Sequence, residues 1–280
     1  MKLVRAPAVF ELIRPHNCLF AGIAVLIGAI IAAEGIFPEK ALFAFLAAAF
    51  ISGAGYAVND YSDRKIDRVN RPWRPIPSGR LGVTDALMIA GVLFVVGISF
   101  AAFVNLSCLL LAGFNSFALA LYASELKRRG LVGNLAISYL VGSTFLFGGL
   151  AVGELQAVGI LAAMAGLSTM GRELIKDIED MSGDRKLGLG TFPIRHGMRA
   201  TAALAVVFTL AAITLSPVPY LLELFDWTYL GAVAVSIVVF LVGVVMIAGE
   251  RTRRAAGRAS FTFRLAMGLG LLAFLVGALS

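Results

Sequence analysis

Apolar residues in this chain come in long runs, with the charges gathered into short clusters between them. Windows of about twenty residues pick out nine runs, over approximately 17–33, 41–60, 84–103, 106–123, 131–151, 157–175, 199–216, 228–248 and 261–279. Each is long enough to cross the hydrocarbon core of a bilayer as a helix. The third and fourth are the hardest to separate, because only Asn105 and Ser107 interrupt them. Fused, they would make a helix of ~60 Å against a core of ~30 Å, so two spans fit better than one. The pattern predicts an all-α, polytopic membrane protein, a bundle of nine transmembrane helices forming one domain over 1–280. Composition agrees: 59% of residues are hydrophobic and mean hydropathy is +0.89, which excludes a large soluble α/β protein, whose helices need charged faces.

Charge placement tests the topology independently. With nine spans, the N-terminus shares one side with the loops after spans two, four, six and eight. That side holds 23 of the 24 Lys and Arg residues, leaving only Lys40 on the other. The positive-inside rule makes it cytoplasmic, N-terminus included. A basic rim facing anionic headgroups accounts for the net charge of +7, and no nucleic acid is needed. Lys2, Arg5 and Arg14 precede an apolar run ending in Ala-Ala-Glu, but the run is long for a signal peptide and its removal would upset the charge count. It is read as the first membrane helix. Residues 4–15 read either as an interfacial helix or as a simple basic anchor, and Arg14 is placed to turn towards the acidic loops and meet a phosphate. Cys18 and Cys108 fall at opposite membrane faces and suggest neither a disulfide nor a metal site.

The chemistry is concentrated in Asn59–Gly79, N-D-Y-S-D-R-K-I-D-R-V-N-R-P-W-R-P-I-P-S-G. On a helix, Asp60, Asp63 and Asp67 stand at i, i+3 and i+7 and project from one face. Aligned carboxylates repel unless a cation lies between them. Pro72, Pro75 and Pro77 then end the helix and stiffen a loop carrying Arg71, Arg74 and Arg80. The same D-x2-D-x3-D spacing returns at Asp177, Asp180 and Asp184, among Arg172, Lys176, Arg185 and Lys186. Glu173 shares that face. The bland alternative, a solvated mixed-charge loop, has no need of aligned carboxylates. Ser52-Gly53-Ala54-Gly55 in the second span permits close packing, so its acidic end is expected inside the bundle, where charge marks function. Lys127 is either a diphosphate contact or a positive-inside anchor, with Tyr122 beside it as an interface aromatic in the second reading. Asn134, Ser138, Ser143 and Thr144 either join helices or line a cavity. Spans seven to nine carry no visible chemistry and are expected to complete the wall, with Trp227 and Tyr229 as outer interface anchors.

Two carboxylate faces meeting at the mouth of a bundle would hold Mg²⁺, which takes hard oxygen ligands from a few carboxylates plus substrate phosphates. Arg and Lys would take the remaining phosphate charge, and the membrane would accept a hydrocarbon tail. This describes a site for an isoprenyl diphosphate, whose leaving group the metal stabilises.

The first run resembles the first aspartate-rich motif of the UbiA superfamily of intramembrane prenyltransferases, and D-I-E-D-M-S-G-D-R-K-L-G resembles its second. The likeness extends over the nine-helix layout. It implies Mg²⁺-dependent prenyl transfer, with Asn59, Asp63, Asp67, Asp180 and Asp184 binding metal-diphosphate and Asp60 and Asp177 as helpers. Arg71 and Lys127 would hold diphosphate oxygens, with Arg74 and Tyr122 beside them. Within the superfamily, I-K-D-I-E-D-x-x-G-D-R-K after Gly171-Arg-Glu is most similar to the archaeal digeranylgeranylglyceryl phosphate synthases. These move a geranylgeranyl group from geranylgeranyl diphosphate to the hydroxyl of geranylgeranylglyceryl phosphate. Arg14, Arg74 or Arg128 would then meet the acceptor phosphate. The chlorophyll synthase branch shares R-P-I-P-S-G but usually has Trp where Tyr61 stands; quinone-ring prenyltransferases rank third. A cation transporter is the remaining alternative, although its ionisable groups would stand near the midplane on broken helices. No residue pattern sets an oligomeric state.

Overall fold

A computed structural model describes residues 6–33, 39–186, 188–250 and 252–279. Val4 and Arg5, at the start of the expected interfacial helix, lie outside the described residues. The elements are α1 (Ala6–Ile13), α2 (Pro15–Ala32), α3 (Ala41–Asn70), α4 (Val83–Val104), α5 (Leu106–Ser124), a 3₁₀ turn (Leu126–Arg128), α6 (Leu131–Val152), α7 (Gln156–Lys186), α8 (Phe192–Leu215), α9 (Val218–Leu221), α10 (Trp227–Gly249) and α11 (Arg253–Leu279). Among the described residues there is no strand, and nine helices are long and apolar enough to cross a membrane.

The two site-bearing helices exceed the predicted spans. α3 runs for 30 residues and α7 for 31, which is ~45 Å each against a core of ~30 Å. The surplus is in both cases the charged C-terminal end. The faint boundary between α4 and α5 is a true break. Asn105 is extended, its Oδ1 accepts from the Cys108 N–H at 2.8 Å, and its Nδ2 donates to the Leu150 carbonyl at 2.8 Å. One amide thus caps the new helix and pins it to α6. At the same end Lys40, the cation set apart by the charge count, donates to the last carbonyl of α4, that of Val104, at 2.7 Å.

α8 begins earlier than predicted because a short helical turn precedes it. Gly197, at φ 82°, breaks the helix, a conformation that glycine adopts without strain, and the predicted span starts two residues later. Tyr229 is not an interface anchor. It is fully buried, and its hydroxyl donates to the Ser216 carbonyl at 2.8 Å. An aromatic with a polar tip is buried when the tip finds an acceptor. Trp227, by contrast, is exposed as expected.

Small residues let the helices close up. A Cβ on Gly148 would lie 2.2 Å from the Val25 carbonyl oxygen, so α2 and α6 are in backbone contact. α1 is more than a surface anchor. Its Ala8 and Leu12 pack with Ala57 of α3, Ala86 and Ala90 of α4, and Ile76 and Leu81 of the α3–α4 loop. That loop is thereby docked rather than free, and its internal bonds (Ser78 N–H to the Arg74 carbonyl, Leu81 N–H to the Pro75 carbonyl, both 3.0 Å) hold it in one shape. Glu11 of α1 adds an ion pair to Arg80 at 2.7 Å.

Candidate functional site

The C-terminal third of α3 carries two sets of polar groups on adjoining faces. Asp60 and Asp67 are both buried, two turns apart, and Arg74 from the docked loop reaches both, Asp67 at 2.6 Å and Asp60 at 3.2 Å. Arg14 joins from the other side, 2.5 Å from Asp60, with its guanidinium 4.8 Å from the centre of the Tyr56 ring. Its left-handed backbone at the α1–α2 junction, φ 51°, turns the chain there. Arg14 therefore turns towards the acidic stretch, as expected. The second set is Asn59 and Asp63, one turn apart. Both are gripped by Lys127, which forms an ion pair with Asp63 and donates to the Asn59 Oδ1 at 3.0 Å. Burial pushes the Lys127 ammonium below the usual lysine value, while Asp63 beside it favours the charged form.

Lys127 is placed by the 3₁₀ turn, and the turn by Gly133. A Cβ at Gly133 would fall 2.5 Å from the Leu126 carbonyl oxygen and 2.8 Å from the Lys127 Cα. Only glycine lets the start of α6 close on this turn. The next residue, Asn134, donates from Nδ2 to Asp177 on α7 at 2.8 Å. Two neighbouring segments thus reach opposite ways, one to the acidic end of α3 and the other to that of α7. Between them the Tyr122 phenol, on the last turn of α5, is within electrostatic range of Asp63 on α3 and of Glu173 and Asp177 on α7. The two acidic helix ends, 117 residues apart in sequence, lie at one end of the bundle. The N-terminus of α11 joins them there, where Arg253 Nε donates to the Glu179 carbonyl at 3.1 Å.

On α7, Glu173 is buried and paired with Arg172, with Lys176 at 3.6 Å. Asp180 is exposed and Asp184 half-buried, within electrostatic range of each other and of Lys176. Arg71 and Arg128 stand exposed at the rim, Arg71 capping α3 through its own N–H on the Asp67 carbonyl at 2.8 Å. Among the described residues no three His, Cys, Asp or Glu side chains close into a metal cage by themselves. Cations stand between the α3 carboxylates instead, as mutual repulsion requires. Of the polar residues left open in sequence, Asn134 lies against an acidic motif, while Ser143 accepts from Asn115 on α5 at 2.9 Å. Tyr56 and the Arg172–Glu173 pair were not singled out for roles. Only their position, one to two turns before each acidic motif, could have suggested them.

A model of the UbiA prenyltransferase family matches residues 21–277. A curated relative from Methanococcoides burtonii, named digeranylgeranylglyceryl phosphate synthase, is 42% identical over 96% of this chain and 98% of its own. A solved structure described as giving structural and mechanistic insights into the biosynthesis of digeranylgeranylglyceryl phosphate synthase in membranes is 36% identical, covers 98% of each chain and superposes with a TM-score of 0.82. A UbiA homolog from Archaeoglobus fulgidus bound to GPP and Mg²⁺ shares the fold at a TM-score of 0.68, with 17% identity over 96% of this chain and 100% of its own.

Proposed function

The chain belongs to the UbiA prenyltransferase family, and from that premise we propose that it makes digeranylgeranylglyceryl phosphate. It transfers a geranylgeranyl group from geranylgeranyl diphosphate to the free hydroxyl of geranylgeranylglyceryl phosphate. The carrying observation is the pair of acidic helix ends, α3 and α7, drawn to one mouth of a membrane bundle by Lys127 and Asn134. The whole chain acts as one catalytic domain in the cell membrane, with this mouth on the cytoplasmic side, where the basic loops lie.

The donor set fits magnesium. Every candidate ligand is a hard oxygen, from Asp63, Asp67, Asp180, Asp184 and the Asn59 amide, with Asp60 and Asp177 alongside. Mg²⁺ draws on few protein ligands and completes its shell with substrate phosphate and water. Mg²⁺, when bound, neutralises the diphosphate as it leaves. The chain's own residues do the rest. Lys127, paired with Asp63, turns to the diphosphate oxygens when they bind, and Arg71 and Arg74 add bidentate contacts from the stiff loop. Tyr122 closes the site below the diphosphate. The allylic C–O bond breaks with its electron pair going to the diphosphate, and the acceptor oxygen bonds to the freed carbon as the hydroxyl proton passes to the released diphosphate. The hydrocarbon tail stays among the apolar helices.

The experiment uses purified full-length protein, labelled geranylgeranyl diphosphate, Mg²⁺ and a panel of glyceryl phosphate, phenolic and chlorophyllide acceptors. Ether formation on geranylgeranylglyceryl phosphate with pyrophosphate release is expected. Transfer only to a phenol or to chlorophyllide would contradict the assignment.

A further inference from the structure

Tyr56, Tyr122 and Arg172 come from three helices that run the same way. Counted from the helix starts Ala41, Leu106 and Gln156, they lie 15, 16 and 16 residues in, so ~22–24 Å along each axis. Asp63 and Asp177 lie 22 and 21 residues in, ~32–33 Å by the same measure. The starts are level, because Lys40 before α3 bonds to Val104 beside α5, and Asn105 bonds to the end of α6, just before α7. A polar layer therefore lies beneath the acidic rim, about one and a half to two helical turns deeper in the membrane. The Tyr56 phenol is within electrostatic range of Arg14 and Arg172, and the Tyr122 phenol of Arg172 and Glu173.

Arg172 is unusual in this layer. Neighbours one residue apart on a helix do not face each other, yet its Nη1 bonds to Glu173, so both side chains fold across the helix surface. Its Nε is buried with no hydrogen-bond partner. An unanswered charged donor in such a place costs free energy and calls for an anion. The rim cations Arg14, Arg74 and Lys127 are already held by Asp60, Asp67 and Asp63.

The acceptor brings a second phosphate to the same end of the bundle, joined by a short glycerol to the reacting hydroxyl. Two phosphates close together repel and need separate counter-charges. We propose that Arg172, flanked by Tyr56 and Tyr122, binds the phosphomonoester of the acceptor and sets the preference for a phosphorylated glyceryl substrate. This rests on the acceptor proposed above. Glu173 holds the guanidinium in place until the phosphate arrives.

The test compares kcat/KM for geranylgeranylglyceryl phosphate and for the same lipid without its phosphate, in wild type, Arg172→Gln and Glu173→Gln. Wild type should prefer the phosphorylated acceptor. In Arg172→Gln that preference should fall roughly 10- to 100-fold, the size of one lost charge-assisted hydrogen bond, with KM for the diphosphate donor within about twofold of wild type. Glu173→Gln, which frees the guanidinium, should sharpen the preference, and it decides the matter if Arg172→Gln does not fold. An unchanged preference in a folded Arg172→Gln, a rise in donor KM instead, or an unsharpened Glu173→Gln would overturn the proposal. Wild-type protein inactive on both glyceryl lipids would remove the acceptor assignment itself, a failure visible before any variant is made.

Discussion

Lys127→Met removes the ammonium that ties the first acidic motif to the 3₁₀ turn. Lys127 contacts Asp63 and, at 3.0 Å, the Asn59 amide oxygen. In the loaded site its charge goes to the diphosphate. A hydrogen bond to a charged group contributes about 1.5–3 kcal/mol, and each ~1.4 kcal/mol is tenfold, so kcat/KM for geranylgeranyl diphosphate should fall roughly 10- to 100-fold. The apparent affinity for Mg²⁺ should move the other way, because Asp63 loses its competing cation. Stability should fall by about 1–3 kcal/mol, because Asp63, with only 19% of its side-chain surface open to water, loses its cationic partner. Lys127→Arg should retain more of the activity. Steady-state kinetics with labelled donor, across a Mg²⁺ titration, reads both effects. Donor kcat/KM within twofold of wild type would refute the reasoning and return Lys127 to a membrane anchor.

Asp63→Ala and Asp184→Ala should each abolish transfer while leaving the detergent-solubilised protein folded, since each removes a metal ligand; near-normal turnover in either would count against the ligand set. Asp60→Asn should act mainly on structure, loosening Arg14 and Arg74 together and costing about 3–5 kcal/mol as a broken buried pair. Its melting temperature should drop clearly, and an unchanged value would count against the latch. Gly133→Ala should displace the Lys127 turn, raising donor KM at least several-fold with the helices intact by circular dichroism; wild-type kinetics would show that the close approach is not needed.

Much of this architecture was legible because a bilayer punishes exposed backbone and charge so strongly that apolar run length and Lys/Arg placement suffice. The nine spans and both acidic motifs follow from those rules. What could not be read was which charge meets which. Helical phase aligns Asp60 with Asp67, but only the docking of the Pro-rich loop on α1 brings Arg74 over both. Gly133 carries no signal of its own until the 3₁₀ turn is seen against it. Tyr229 was misplaced because an aromatic near a span end looks the same in sequence whether its hydroxyl meets water or, as here, the Ser216 carbonyl. Arg172 was passed over as one more cation near the rim. Its depth is visible only once α7 is known to start at Gln156 and run unbroken through the charged segment.

A solved structure of the protein with Mg²⁺ and a non-cleavable geranylgeranyl diphosphate analogue would show whether the two acidic helix ends share one diphosphate. One diphosphate should be held from both sides, by metal bonded at ~2.0–2.1 Å to carboxylates of α3 (Asp63 or Asp67) and of α7 (Asp180 or Asp184). A diphosphate bound to one helix end, with the other acidic motif left facing water, would contradict it.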